Sequence, residues 1–218
     1  MGRLKFDISV SLDGYVAGPD LTLDDPIGRN GMLLHQWAFA TKTFSEMQGR
    51  PGGETGTDDD VAAEHFENVG ATIMGRRMYS GGDGPWEADP NADGWWGDDP
   101  PFHHHVFVLT RHAREPLEMQ AGTTFNFVTD GIESALEQAR TAAGEADVQI
   151  GGGGQAIQQY LKAGLVDEFQ LHVVPLFLGE GVRLFDDHIE DVPGELSLAE
   201  AIQSPIGVMH LKYELASR

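Results

Sequence analysis

The sequence predicts an α/β fold: a mixed, mostly parallel sheet of about eight strands, flanked by helices and closed by a C-terminal hairpin. Three observations carry that expectation. From Thr123 to Val174, strand-like apolar runs alternate with segments of helical spacing, the pattern of parallel strands linked by crossover helices. Within that stretch, Val148-Gln-Ile150 runs into four glycines, Gly151 to Gly154, and then into Ala156, Ile157, Tyr160 and Leu161 at helical spacing. Near the end, Leu196 to Ala201 and Val208 to Leu215 read as two strands joined through Ser204-Pro-Ile-Gly207, a hairpin that makes the sheet mixed.

The elements follow in order. Leu4, Phe6, Ile8, Val10 and Leu12 alternate with polar residues and predict a first strand, which turns at Asp13-Gly14. Residues 19–31, rich in Asp, Gly and Pro, form a loop. Leu34, Trp37, Ala38, Thr41 and Phe44 predict one helix from Leu33 to Met47. Asp58-Asp-Asp60 precedes Val61-Ala-Ala63, a helix start favoured by its dipole. Ala71 to Gly75 is a strand meeting a glycine, and Arg76-Arg-Met-Tyr79 opens a helical turn. Residues 80–105 form the longest irregular segment; its three tryptophans, Trp86, Trp95 and Trp96, predict an ordered flap or rim rather than disorder. Val106 to Leu109 is a strand with Thr110 and Arg111 just past it, and Ile132 to Ala139 is a helix.

The chain has 218 residues and no linker rich in Pro or Ser, so the expectation is one domain over 1–218. Cysteine is absent, which excludes disulfides, thiolate metal sites and cysteine nucleophiles. No signal-like or membrane-spanning apolar run is present, and a cytoplasmic location is expected. The net charge of −21 repels nucleic acid and anionic lipid, so neither is an expected partner. An anionic ligand would need a local positive site against that field.

Two patterns offer one. Four glycines let a phosphate approach the backbone, and the following helix presents free N–H groups to it. A strand ending at Gly75 before Arg76 and Arg77 is a second anion-site pattern, because guanidinium forks match phosphate; in so acidic a chain, the alternative is that both arginines pair with carboxylates. His103-His-His105 beside Asp98 and Asp99 lacks metal-ligand spacing, and no metal is expected.

In order and spacing, Ser11-Leu-Asp-Gly-Tyr-Val-Ala17, Ile73-Met-Gly-Arg-Arg-Met-Tyr79, Val106-Phe-Val-Leu-Thr110, Gly151 to Gly154, Gly164-Leu-Val-Asp-Glu168 and Pro175-Leu-Phe-Leu-Gly-Glu-Gly181 resemble the dihydrofolate reductase-like family, in the branch that contains the C-terminal reductase domain of bacterial riboflavin biosynthesis. The resemblance implies a three-layer α/β domain, a homodimer, and NADPH held at the C-terminal strand ends. It implies cofactor contacts by Gly75, Arg76 and Arg77, by Thr110 and Arg111 on the 2′-phosphate side, by Gly151, Gly152, Gly153 and Gly154 with Gln155 and Ala156 at the pyrophosphate, and by Val16, Ala17 and Gly18 beside the nicotinamide. The expected activity is hydride transfer to a small, flat heterocycle. Met78 stands where folate enzymes carry a hydroxyl, and no counterpart of their pteridine-gripping carboxylate appears, so dihydrofolate is not the expected substrate. Asp13 and His35 are the candidate catalytic residues. The alternative is an NADP(H)-binding protein without turnover.

Overall fold

The structure, a computed structural model, describes residues 2–185 and 192–216. Its strands are β1 (Leu4–Ser11), β2 (Tyr15–Ala17), β3 (Val69–Gly75), β4 (His105–Leu109), β5 (Leu117–Glu118), β6 (Thr124–Val128), β7 (Asp147–Gly152), β8 (Glu168–Val174), β9 (Val182–Arg183), β10 (Glu195–Gln203) and β11 (Met209–Ala216). Its helices are α1 (Gln36–Phe39), α2 (Lys42–Met47), α3 (Thr57–Phe66), α4 (Arg76–Ser80), α5 (Ile132–Ala143) and α6 (Gly154–Lys162). Nine strands hydrogen-bond in the order β10-β11-β8-β1-β7-β3-β4-β6-β5, and β2 pairs with β9. The sheet is mixed and mostly parallel in its β1-β7-β3-β4-β6 part, with the antiparallel hairpin β10-β11 at one end. This is the predicted three-layer α/β class.

The chain divides into two compact units. The first comprises residues 1–6 and 68–166; the second comprises 7–67 and 167–218.

In the first unit, β7, β3, β4 and β6 are parallel and short; the interiors of β3 and β4 are continuously buried, as strands covered on both faces require, and β6 is half-buried at Asn126 and Phe127. Helix α5 lays Ala135, Leu136 and Ala139 on the sheet, and α6 buries Ala156, Ile157, Tyr160 and Leu161. The Tyr160 hydroxyl donates to the Ile132 carbonyl at 2.8 Å, which satisfies a phenol with no solvent access and fixes α6 to the start of α5. The glycine run is not all turn: Gly151 and Gly152 close β7, and only Gly153 stands between strand and helix.

The 80–105 segment belongs to this unit and is ordered by its tryptophans, as expected. Trp86 and Trp96 pack on the cluster of Met74, Tyr79, Val106, Val108 and Phe125. Each indole N–H finds a carbonyl, Trp86 at His112 (2.8 Å) and Trp96 at Tyr79 (3.2 Å).

The second unit corrects two expectations. The helix predicted from Leu33 to Met47 is broken. A 3₁₀ turn (Gly31–His35) leads into α1, and the chain extends at Thr41 before α2. Thr41 is buried, bridges to Glu54, and accepts the Phe44 N–H at its hydroxyl, so a cap formed by a non-local pairing outweighs the helical periodicity. The alternation of β1 also fails: Leu12 is exposed while Ser9 is buried. The reason is Trp37, whose indole N–H donates to the Ser9 hydroxyl at 2.9 Å inside the core of Leu34, Val61, Ala62, Val174 and Val208.

A polar chain crosses that core. His210 Nε2 lies 3.0 Å from Asp58, and the Nδ1 atoms of His210 and His172 are 2.8 Å apart. A neutral His210 donating to Asp58 accepts at Nδ1 from His172. Trp37 packs tilted against His172 and edge-on to His210, with centroids 4.5 and 4.8 Å away. Burial pushes His172 down to about 3. The aspartates at the start of α3 do sit in its first turn, and they reach further than capping: Asp59 accepts from the Thr43 N–H and Asp58 from the Ser204 hydroxyl.

Candidate functional site

In the first unit, the C-terminal ends of β7, β3, β4 and β6 lie side by side, so four strand-end turns share one edge: Gly153, Gly75-Arg76-Arg77, Thr110-Arg111 and Asp130-Gly131. Open α/β sheets bind ligands at this edge. The turns after β3 and β7 touch. A Cβ built on Gly75 would lie 3.8 Å from Ala156 Cβ and 4.0 Å from Gly153 N, and one on Gly152 would lie 3.7 Å from Met78 Sδ.

Gly75 and Gly153 are the informative pair. Their φ angles are −77° and −81°, which any residue adopts. A Cβ at Gly153 meets nothing within 4 Å, and one at Gly75 makes only ordinary contacts. Neither φ nor packing beyond the adjoining residues demands glycine at these two positions, and the Gly152–Gly153 peptide is cis. What a side chain would fill is open space at the first turn of α6, where no side chain caps the helix. Backbone N–H groups and a positive dipole end suit an anion there. Gly151 to Gly154, Gln155 and Ala156, the residues predicted for the pyrophosphate, form the end of β7 and this first turn.

The arginines divide. Arg76 is buried, bonds Asp89, and lies over the Trp86 ring with its central carbon 3.7 Å from the centroid. Its Nε and Nη1 are buried without hydrogen-bond partners, and the indole face is what they are packed on. Burial works to raise the Asp89 carboxyl, yet the Ser80 hydroxyl, Arg76 and the Asn91 N–H together hold it below its ordinary value. Arg77 is exposed and bonds Asp83 through Nε (3.1 Å) and Nη2 (2.6 Å). The carboxylate-pairing alternative posed by the acidic sequence therefore holds for both arginines. Arg111 is exposed, and its charge acts on Asp83. The Thr110 hydroxyl accepts the His112 N–H at 3.1 Å and so shapes the turn that presents Arg111.

The second unit holds the other predicted residues. Val16 and Ala17 are buried in β2, opposite β9. Gly18 packs on the backbone of Arg29, where a Cβ would meet the carbonyl oxygen at 2.0 Å. Asp13 is a clamp: its carboxylate accepts from the Ser11 hydroxyl (2.5 Å), the Leu178 N–H (3.1 Å) and the Gly179 N–H (2.7 Å). The Ser11 bond above all, opposed by desolvation and aided by the Gly179 and Leu178 bonds, lowers its pKa, so it holds no proton near neutrality. His35 ends the 3₁₀ turn, stacks on Phe39 and is lowered by burial, which keeps its ring neutral at pH 7. Among the described residues, no three His, Asp or Glu side chains could hold a metal, and no helix is long and apolar enough to cross a membrane.

Sequence reasoning missed Asp83 and Asp89. Their signal lay in the acidic composition of the tryptophan segment, but pairing them to Arg77 and Arg76 requires the folded loop.

A sheet of this order, parallel from β1 through β6 and carrying an antiparallel C-terminal hairpin, defines a three-layer α/β protein with an open, glycine-lined edge at its parallel strand ends. The RibD C-terminal domain model matches residues 3–207, and the chain belongs to that family. It is 27% identical over 189 residues to the uncharacterized Bacillus subtilis (strain 168) protein YyaP, covering 85% of this chain and 81% of that one. Its fold is shared with a Shewanella sp. PV-4 protein whose name refers to riboflavin biosynthesis (TM-score 0.62, 21% identity, 98% of each chain). It is also that of Enterococcus faecalis dihydrofolate reductase, solved with NADP(H) (TM-score 0.53, 11% identity, 98% of this chain and 96% of that one).

Proposed function

We propose that this chain is an NADPH-dependent reductase of a small, flat heterocycle other than dihydrofolate. The observation that carries the reading is the Gly75–Gly153 pair, two adjoining glycines with ordinary φ angles and open space where a side chain would stand. In this reading the N-terminal turn of α6, with Gly151 to Gly154, Gln155 and Ala156, holds the pyrophosphate. Gly75 gives it room, and Arg77, Thr110 and Arg111 serve the 2′-phosphate side. Arg76 acts at one remove: its ion pair with Asp89 and its stack on Trp86 hold the flap in place.

The bound nicotinamide would supply a hydride, and the protein supplies placement and protection from water. Asp13 is a positioning residue in this scheme, because its carboxylate is spent on the 178–179 backbone. His35, kept neutral by burial, would serve the proton only as a relay, giving up its ring N–H proton while its other ring nitrogen takes one from water. The engaged state of Asp13 also favours the second reading, a protein that binds NADP(H) without turnover.

The test is fluorescence titration with NADPH and NADH at low and molar salt, followed by loss of NADPH absorbance against a panel of flavins, pterins and pyrimidines. Saturable, NADPH-favouring binding with turnover of one heterocycle is expected. Binding without turnover of any panel member selects the second reading; no binding of either dinucleotide overturns both.

A further inference from the structure

Both arginines of the turn after β3 already have carboxylate partners, but the two pairs differ in kind. Arg76 and Asp89 are almost without solvent, with side-chain exposures of 5% and 3%. The Ser80 hydroxyl and the Asn91 N–H also bond that carboxylate. No ligand displaces Asp89 without dismantling the loop. Arg77 and Asp83 stand in water, with exposures of 61% and 65%. Exposed pairs contribute little and exchange readily. Asp83 also feels a third cation: after the hydrogen bond and charge of Arg77, the charges of Arg111 and Arg76 act on it. A single aspartate thus lies among the cations that a terminal phosphate would seek.

We propose that Asp83 is a specificity-determining residue, an internal anion that competes with the adenosine 2′-phosphate for Arg77. The inference rests on the dinucleotide reading of this site. A phosphate dianion near the arginines must either displace Asp83 or share Arg77 with it, and in both cases meets a like charge. A free 2′-hydroxyl carries no charge and meets no such repulsion. Asp83 therefore narrows the preference for NADPH over NADH without contributing to pyrophosphate binding.

The experiment uses adenosine 2′,5′-bisphosphate and 5′-AMP as probes, titrated calorimetrically into the wild type, Asp83→Asn and Asp93→Asn. Asp93 lies on the same loop, is exposed, and pairs with Arg114 instead, so its replacement removes the same charge elsewhere. Thermal melting establishes that each variant is folded. Asp83→Asn is expected to tighten the bisphosphate about three- to tenfold, less so in molar salt, and to leave 5′-AMP within about twofold. Asp93→Asn is expected to leave both within about twofold. Unchanged bisphosphate affinity in Asp83→Asn, or an equal gain in Asp93→Asn, overturns the role of Asp83 and leaves the site reading standing. Failure of either probe to bind any of the three proteins overturns the site reading, and this inference with it.

Discussion

The two units use glycine for opposite reasons. In the second unit, a Cβ at Gly18 would meet the Arg29 carbonyl oxygen at 2.0 Å, and one at Gly181, where φ is +131°, would meet that of Ala17 at 2.1 Å. Those residues are glycine because the chain packs on itself. In the first unit, Gly75 and Gly153 have ordinary φ angles and room for a side chain. The ionisable groups divide likewise. The second unit buries His210 and His172 in a chain of hydrogen bonds that ends on half-buried Asp58, whereas the first leaves Arg77 and Arg111 open to solvent. Glycine thus marks self-contact in one place and open space in the other, and only the surroundings of each tell them apart.

Substitutions can break that contrast. The largest effect is expected at Gly181→Ala, where a forced φ and a backbone overlap combine; chemical denaturation should show a loss of about 3 kcal/mol or more, or no soluble protein. A variant as stable as the wild type would mean the self-contact reading is wrong. Gly153→Ala should melt with the wild type yet weaken NADPH about 30-fold, or ~2 kcal/mol. Arg111→Ala should weaken NADPH about tenfold and spare NADH, measured by the same titration; equal losses for both cofactors would move Arg111 away from the 2′-phosphate.

Acid sharpens the other half. His172 is lowered to about 3 by burial, against opposing attraction from Asp7 and with added repulsion from His210, His65 and His35. The unfolded chain takes up this proton below its ordinary value near 6.5, while the folded chain refuses it until about 3. Stability is therefore present above that ordinary value and declines as pH falls through the window between the two. From pH 7 to 5.5 the loss should be about 1 kcal/mol from this group, with a smaller part from half-buried His104, lowered to about 4. Denaturation curves at both pH values check this, and His172→Gln should flatten the slope; an unchanged slope would remove His172 as its source.

Much of the fold was legible because its signals are local. The parallel strands are short, largely apolar runs, the hairpin carries its own turn residues, and α6 shows its buried face at residues 156, 157, 160 and 161. The glycine run and the arginine turn were legible as candidate anion sites for the same reason. What escaped depends on residues far apart in sequence. The break at Thr41 comes from a bridge to Glu54, and the His172–His210 contact from the register of β8 against β11. The Arg76–Asp89 pair depends on the path of the tryptophan loop. Strands β5 and β9, two residues each, are too short to leave a period. Above all, a string of letters cannot say whether a glycine is there for the chain or for a ligand, because that depends on what its missing Cβ would touch.

The most direct test of the central claim is calorimetric titration of NADPH into the wild type and Gly153→Ala, with thermal melts of both. Saturable binding to the wild type, lost or strongly weakened in a variant that melts at the same temperature, is the predicted result. Equal affinity in the two proteins would show that the space over Gly153 serves no dinucleotide and would contradict the assignment of the site.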